Sequence, residues 1–255
     1  MVMTPATIAR VRGAVGGSEP DILSAAEAVD IPLAVPPSMD IVREALDGAP
    51  IDAIVTETAS RRKALLVADM DSTIVTGETL DELADFAGLK ERVAAITARA
   101  MNGELGFKAA LRERVAMLRG LPVDALERAW QRVRLTGGAR ALVATMRAHG
   151  AHCALVSGGS SFFTGRVAAL CGFDVHRSNV LLDDGAALTG FVAEPILDRD
   201  SKLNMLTGLA AAGLGLAFHA KPIVAAAARA RVDHADLRAL LFAQGYRAGE
   251  IVDPS

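Results

Sequence analysis

Residues 64–73 read ALLVADMDST, a continuous apolar run that ends in two aspartates separated by one residue. A short run of this kind is typical of a strand that is buried on both faces of a parallel sheet. In open α/β sheets, ligands bind beyond the carboxyl ends of the strands. Asp69 and Asp71 therefore stand where two carboxylates converge on one reacting group.

Two carboxylates in this position suit the hydrolysis of a phosphate ester. One carboxylate attacks phosphorus, while the other protonates the departing alkoxide and then deprotonates the water that hydrolyses the aspartyl-phosphate. Because the attacking carboxylate and the phosphate are both anionic, a divalent cation has to offset their repulsion, and oxygen-only ligands favour Mg²⁺. Taken alone, however, Asp-x-Asp after a strand is also typical of a polar turn.

The rest of the chain alternates strands with helices. Apolar residues recur at helical spacing through residues 79–133, which predicts an all-helical insertion, a cap at about 76–135. Helices are also predicted at 139–148, 160–170 and 200–212, strands at 151–156 and 214–218, and a hairpin turn at Asp183-Asp184-Gly185. A last helix is predicted to be capped by Asp236 and to run through Phe242. This alternation predicts an α/β fold with an open, mostly parallel, Rossmann-like sheet.

Residues 1–62 differ from the rest of the chain. Two helix-like stretches, 4–15 and 39–46, flank segments rich in glycine and proline, and a short apolar run follows at 51–55. We predict a small α+β appendage here and a main domain over residues 63–255.

Composition excludes several classes of protein. The 255 residues are 51% hydrophobic with a net charge of −3, which gives no electrostatic basis for binding nucleic acid or an anionic membrane. No apolar run reaches the roughly 18 residues of a membrane span, and the N-terminus lacks the pattern of a signal peptide. Two cysteines are too few for a disulfide scaffold, so a soluble cytoplasmic protein acting on a small molecule is expected.

The motifs together resemble one family. Asp69-Met70-Asp71-Ser72-Thr73 resembles the first motif of the haloacid-dehalogenase-like phosphatases, and Val156-Ser157-Gly158-Gly159 resembles the second. Ser201-Lys202 falls where the lysine of the third motif belongs. Segments that look like the cap of the phosphoserine phosphatases in this superfamily are 78–84 (ETLDELA), 96–103 (ITARAMNG), 107–118 and Leu121-Pro122. The resemblance covers roughly residues 64–245 in family order.

The resemblance implies roles for the core residues. Asp69 is expected to be the nucleophile and a ligand of Mg²⁺. Asp71 is expected to be the general acid and base and to bind the metal through its backbone carbonyl. Ser157 and the Gly158 amide are expected to hold phosphate oxygens, and Lys202 to place a positive charge on the phosphate.

The resemblance also implies a substrate. In the cap, Glu78 is expected to receive an ammonium group and Arg114 a carboxylate, with Met101 and Phe107 lining the apolar part. These contacts match O-phospho-L-serine, whose hydrolysis to serine and phosphate is the last step of serine biosynthesis. In full-length relatives, an appendage such as residues 1–62 resembles a regulatory amino-acid-binding module.

One motif of the family has no counterpart. The fourth motif, a Gly-Asp-Gly-x-Asn-Asp turn whose aspartate binds the metal, is expected where residues 209–214 read LAAAGL. Beyond Lys202 the acidic residues are only Asp233, Asp236, Glu250 and Asp253. We therefore predict that one strand-turn-helix unit of the core is missing and that Mg²⁺ binds weakly, with Asp198 or Asp200 as candidate substitute ligands.

Three alternatives follow from these observations. The chain is an active phosphoserine phosphatase, a catalytically impaired relative that only binds ligand, or an unstable fragment. A dehalogenase is disfavoured, because that reaction needs no second carboxylate at Asp71.

Overall fold

The computed structural model describes residues 3–101, 104–198, 215–220, 228 and 230–254. The chain forms two compact units. The first contains Met1–Ala64, Gly137–Ala151 and the described part of Ala212–Ser255; the second contains Leu65–Thr136 and the described part of His152–Ala211. Within the described ranges, no helix has the length and apolarity needed to cross a bilayer.

The helices and strands are as follows in chain order. The helices are α1 (Pro5–Val15), α2 (Met39–Leu46), α3 (Thr79–Phe86), α4 (Lys90–Met101), α5 (Phe107–Ala116), α6 (Asp124–Trp130), α7 (Ala139–Ala148), α8 (Ser161–Cys171) and α9 (Ala239–Ala243). The strands are β1 (Asp21–Ser24), β2 (Ala28–Asp30), β3 (Leu65–Ala68), β4 (His152–Ser160), β5 (Val175–Asn179), β6 (Leu181–Asp183), β7 (Leu188–Val192), β8 (Leu216–Phe218) and β9 (Ala230–Val232).

A parallel sheet of order β3-β4-β5 lies at the centre of the second unit. Strand β4 pairs with β3 from Leu65↔His152 to Ala68↔Leu155, and with β5 from Ala154↔Val175 onward. Residues 153–156 of β4 are fully buried because this strand has a neighbour on each side. The predicted α/β fold with a parallel sheet is confirmed.

Strand β3 carries the predicted Asp-x-Asp motif at its carboxyl end. Among the described residues it pairs with β4 alone, and residues 65–67 are only half-buried. The predicted loss of a core unit concerns residues 209–214, which lie outside the described residues, as does the predicted helix at 200–212. That loss therefore stays a prediction.

The helical insertion consists of α3 to α6. Its two ends are joined, because the Thr76 N–H donates to the Arg134 carbonyl at 3.0 Å and the Thr136 N–H donates to the Ile74 carbonyl at 2.9 Å. Four helices with paired ends match the predicted helical cap, whose limits of 76 and 135 stay a prediction.

Helix α5 is held by charged contacts with the segment that follows β7. Lys108 Nζ lies 2.9 Å from an Asp198 carboxylate oxygen, and Arg112 lies 2.6 Å from Glu194. Asp198, one candidate for a substitute metal ligand, thus already pairs with a cation; Asp200 lies outside the described residues.

The first unit has its own small core. Thr4 caps α1 by accepting the Thr7 N–H at 3.2 Å, and α2 begins and ends as predicted. Leu23, Ala28 and Phe242 form a buried cluster. The predicted apolar run at 51–55 forms neither a helix nor a strand. The α+β composition of residues 1–62 matches the expectation, and the boundary at 62 stays a prediction.

The start of the last predicted helix was wrong. Asp236 was expected to cap it, but α9 begins only at Ala239. The Asp236 carboxylate instead accepts the Arg238 N–H at 2.9 Å and so closes a turn before the helix. The short side chain of aspartate satisfies such turns as readily as helix N-termini, so the sequence does not separate the two.

Candidate active site

A cavity of about 330 Å³ opens in the second unit where β3 ends. Its lining includes six of the nine residues predicted for the site: Asp69, Asp71, Glu78, Phe107, Arg114 and Gly158. Ser157 is buried and contacts Asp71 instead of the cavity space. Lys202 and the side chain of Met101 lie outside the described residues. The structure therefore brings the core and cap residues together around one space.

A tight turn, Met70–Ile74, follows Asp69 and contains Asp71, whose backbone is extended and not helical, with φ of −66° and ψ of 133°. The Val75 N–H donates to the Met70 carbonyl at 3.0 Å, and Met70 and Ile74 are completely buried beneath the turn. Ser72 takes the left-handed conformation, with φ of 55°, which is uncommon for a residue with a side chain. The buried residues anchor the turn, and the alternate residues Asp69 and Asp71 line the cavity.

Asp71 has the environment of a proton-transfer group. Its carboxylate accepts the Thr79 N–H at 2.9 Å and the Ser157 hydroxyl at 3.2 Å. Burial raises the pKa of Asp71 to about 6; the hydrogen bond from the Thr79 N–H opposes this shift, and the negative charges of Glu78 and Asp69 add to it. A carboxyl group with a pKa near neutrality can both give and take a proton at physiological pH.

The segment Ser157-Gly158-Gly159, near the end of β4, is called the phosphate turn here after the role that the family resemblance implies for it. Gly158 and Gly159 line the cavity beside Asp71. Gly159 donates its N–H to the Ser157 hydroxyl oxygen at 2.9 Å. A Cβ atom at Gly159 would lie 2.9 Å from the Asp71 carboxylate, which real Cβ contacts do not reach. The second glycine is therefore required for the backbone to approach Asp71 so closely.

The cap contributes opposite charges to the cavity. Glu78, directly before α3, accepts the Ser72 hydroxyl at 2.8 Å. Arg114 donates to the Thr97 hydroxyl and to the Ala110 carbonyl, each at 3.4 Å. Burial lowers the pKa of the Arg114 guanidinium, while the neighbouring carboxylates, including Glu78, favour its charged form. One anionic and one cationic side chain thus face the same space from the cap.

Phe107 covers the phosphate turn. An added Cβ at Gly158 would lie 2.7 Å from Cζ of the Phe107 ring. The ring is about a third exposed, at 38%, so it also borders the open part of the cavity. The Phe107 ring thus lies as a close lid over Gly158.

Two contributions were not predicted from the sequence. Ser72 holds Glu78 through its hydroxyl, and the backbone N–H of Thr79, in the first turn of α3, holds Asp71. The contact between the Thr79 N–H and Asp71 could have been predicted, because the N–H groups in the first turn of a helix lack partners within the helix and attract carboxylates. The contact between Ser72 and Glu78 depends on the left-handed conformation of Ser72, which no local sequence pattern indicates.

The donor set of the cavity fits Mg²⁺ in type. The exposed Asp69 and the neighbouring Asp71 supply the carboxylate and carbonyl oxygens that this ion prefers. Across the described ranges, no group of three or more His, Cys, Asp or Glu side chains is placed to hold a metal. The described residues thus provide oxygen ligands for part of a coordination shell. Residues 209–214, where the fourth motif is expected and predicted to be missing, lie outside the described residues.

Comparison with known proteins identifies the class. The model of the haloacid dehalogenase-like hydrolases matches residues 66–243, and the chain belongs to this family.

Two curated relatives of the chain are phosphoserine phosphatases. The chain is 40% identical over 191 residues to a phosphoserine phosphatase of Archaeoglobus fulgidus, covering 66% of this chain and 56% of the relative. It is 38% identical over 217 residues to phosphoserine phosphatase SerB2 of Mycobacterium tuberculosis, covering 76% of this chain and 53% of the relative. The chain thus spans about half the length of these curated relatives.

A solved structure supports the same comparison. A phosphoserine phosphatase captured as an analogue of its phospho-aspartyl intermediate superposes with a TM-score of 0.64 at 33% identity, covering 71% of this chain and 98% of that one. Over the matched 71% of its length, the chain therefore shares the fold of that phosphatase.

Proposed function

We propose that this chain hydrolyses O-phospho-L-serine to L-serine and phosphate, the last step of serine biosynthesis, in the cytoplasm. One observation carries the proposal: a single cavity is lined by Asp69, Asp71 and the two glycines of the phosphate turn at its floor and by Glu78 and Arg114 at its cap side. An ester of phosphate with an amino acid presents a phosphate, an ammonium and a carboxylate, and each has a matching group in this cavity.

In the first half-reaction, a carboxylate oxygen of Asp69 attacks phosphorus and forms the aspartyl-phosphate. The bond between phosphorus and the seryl oxygen breaks, and protonated Asp71 transfers its proton to that oxygen, so that serine leaves neutral at the hydroxyl. The pKa of Asp71, raised to about 6, makes the protonated form accessible at physiological pH.

In the second half-reaction, the Asp71 carboxylate takes a proton from water as the water oxygen attacks the aspartyl-phosphate. The bond between phosphorus and the Asp69 oxygen breaks, which releases phosphate and restores the Asp69 carboxylate. Asp71 then carries the proton needed for the next turnover, so protons balance over the cycle.

Asp69 and the backbone carbonyl of Asp71 are the residues that would hold Mg²⁺, which supplies positive charge to offset repulsion between the Asp69 carboxylate and the phosphate. The Gly158 N–H and the Ser157 hydroxyl are proposed to bind phosphate oxygens, with Lys202 adding positive charge. The Ser157 hydroxyl reaches the phosphate by rotating away from Asp71, its acceptor at 3.2 Å.

Substrate choice is assigned to the two cap charges. Glu78 binds the ammonium of phosphoserine and Arg114 its carboxylate, while the Phe107 ring covers the apolar carbon atoms. Arg114 is suited to this because a planar guanidinium binds a carboxylate through two parallel hydrogen bonds.

A panel of phosphate esters tests this assignment. Phosphoethanolamine lacks the carboxylate of phosphoserine, and 3-phosphoglycerate lacks its ammonium. We expect Arg114→Met to raise KM for phosphoserine about 10- to 100-fold while leaving KM for phosphoethanolamine nearly unchanged. Arg112→Met, a change of the exposed arginine two residues earlier on α5, serves as the matched control. Equal effects of Arg114→Met on both esters would contradict the assignment.

A second candidate function rests on the sequence beyond Lys202. Since no acidic residue occurs between Lys202 and Asp233, the chain has no aspartate at the place expected for the fourth motif. The candidate is a relative that binds phosphoserine without turning it over. Calorimetric titration separates the two: weak Mg²⁺ binding with retained phosphoserine binding and no phosphate release favours the second.

A further inference from the structure

Asn179, the last residue of β5, is a buried amide whose polar groups are all engaged. It is 2% exposed. Its Nδ2 group donates to the Gly158 carbonyl at 2.9 Å and to the Leu197 carbonyl at 3.2 Å, and its Oδ1 accepts the Leu197 N–H at 2.7 Å. Rotating the amide by 180° would set Oδ1 against two carbonyl oxygens, so these contacts fix one orientation of the side chain.

The position of Asn179 follows from a break in the sheet. Strands β4 and β5 are in register at Val156↔Arg177 and again at Ser160↔Asn179. Between these pairs, β4 contains three residues, the phosphate turn, and β5 contains only one. The turn therefore bulges out of the ladder, and the Asn179 side chain supplies a hydrogen bond to the backbone that the bulge removes from regular pairing.

The amide is linked to the catalytic carboxylate through one peptide group. The Gly158 carbonyl and the Gly159 N–H belong to the same planar peptide, so fixing the carbonyl also fixes the direction of the N–H. That N–H donates to the Ser157 hydroxyl oxygen at 2.9 Å, and the hydroxyl donates to Asp71 at 3.2 Å. Hydrogen bonds thus run without interruption from Asn179 to Asp71.

We propose that Asn179 is a positioning residue of the phosphate turn: by holding the Gly158 carbonyl, it fixes the backbone of Gly158, whose N–H is proposed to bind phosphate. The proposal rests on the proposed function, because it takes this turn to be the phosphate site. Asn179 itself contacts no substrate. Its effect is confined to the phosphate end of the cavity, since its bonds reach the turn and residue 197 and none of the cap residues that face serine.

Two ligands separate positioning from a general structural role. The affinity for inorganic phosphate measures the state of the phosphate turn, and the affinity for L-serine measures the state of Glu78 and Arg114. We expect Asn179→Ala to weaken phosphate binding about tenfold, on the scale of a lost buried hydrogen bond that leaves its partners unpaired, and to change serine binding less than twofold. Ser178→Ala is the matched control, because it removes a hydroxyl on the neighbouring residue. That hydroxyl forms its 2.6 Å hydrogen bond with the Thr164 hydroxyl of α8 and not with the turn. This variant should change neither affinity.

Amide hydrogen exchange followed by NMR gives a readout that does not depend on activity. Exchange at Gly159 and Leu197 should accelerate in Asn179→Ala and stay unchanged in Ser178→Ala. Unchanged exchange at Gly159, unchanged phosphate affinity, or equal weakening of phosphate and serine binding would each overturn the proposal. Failure of the proposed function looks different: wild type then releases no phosphate from phosphoserine, while the exchange measurement still decides the role of Asn179.

Discussion

The raised pKa of Asp71 predicts that this residue destabilises the metal-free fold at neutral and alkaline pH. Its pKa rises from 3.8 to about 6, so the folded protein binds the Asp71 proton more tightly than the unfolded chain does. Stability is therefore unaffected by this group below about pH 4, falls as the pH rises through about 6, and stays reduced above it. Asp71→Asn removes the ionisation and with it this loss.

The size of the effect follows from the shift. A difference of about two pK units corresponds to about 3 kcal/mol as an upper limit. Because Asp71 lines a cavity that water enters, screening reduces this value, and we expect about 2 kcal/mol. In the presence of a chelator, Asp71→Asn should thus be about 2 kcal/mol more stable than wild type at pH 8 and equal to it at pH 4.

Urea unfolding at pH 4, 6 and 8 measures this difference. Other titrating groups cancel, because wild type and variant are compared at each pH. Asp184→Asn is the control of opposite sign: the N–H groups of Ala187 and Ala186 lower the pKa of Asp184, so its replacement should not stabilise the protein at pH 8. A variant at position 71 that is no more stable than wild type at pH 8, or a difference that does not shrink towards pH 4, refutes the reasoning.

Three further variants test contacts of the second and first units. Ser72→Ala removes the hydroxyl that holds Glu78 at 2.8 Å, so KM for phosphoserine should rise a few-fold while inhibition by inorganic phosphate is unchanged in steady-state assays. Gly158→Ala places a Cβ 2.7 Å from the Phe107 ring, so the ring must move and inhibition by phosphate should weaken; an unchanged inhibition constant contradicts the close lid. Arg61→Ala removes a half-buried bidentate pair with Asp30 and leaves buried acceptors unpaired, so unfolding should show a loss of about 2–3 kcal/mol; a loss below about 0.5 kcal/mol would show that solvent replaces the pair.

Much of the fold was predictable because its signals are periodic and local. The apolar run before Asp69 predicted β3, and helical spacing predicted α2 and α7 with their observed limits. Strand β5, Val175–Asn179, was not predicted. Its sequence VHRSN has one aliphatic residue and its first three residues are exposed, so it forms by pairing with β4, which local sequence does not encode.

The residues of the candidate site also divide into those that local sequence predicts and those that it does not. Asp69 and Asp71 stand out because two carboxylates after a buried strand carry chemical meaning on their own. Glu78 and Arg114 were reached only through a family resemblance, because a glutamate beside a helix start and an arginine within a helix are also common at protein surfaces. Asn179 had no signal, because its role depends on a bulge between two strands that only the three-dimensional register reveals.

The central claim is that Asp69 serves as the nucleophile of a phosphoserine phosphatase. Phosphate release from L-phosphoserine, with and without Mg²⁺, tests it most directly when wild type is compared with Asp69→Asn. The account predicts release that depends on Mg²⁺ in wild type and is abolished in the variant. No release from the folded wild-type protein, or release that persists in Asp69→Asn, would contradict it.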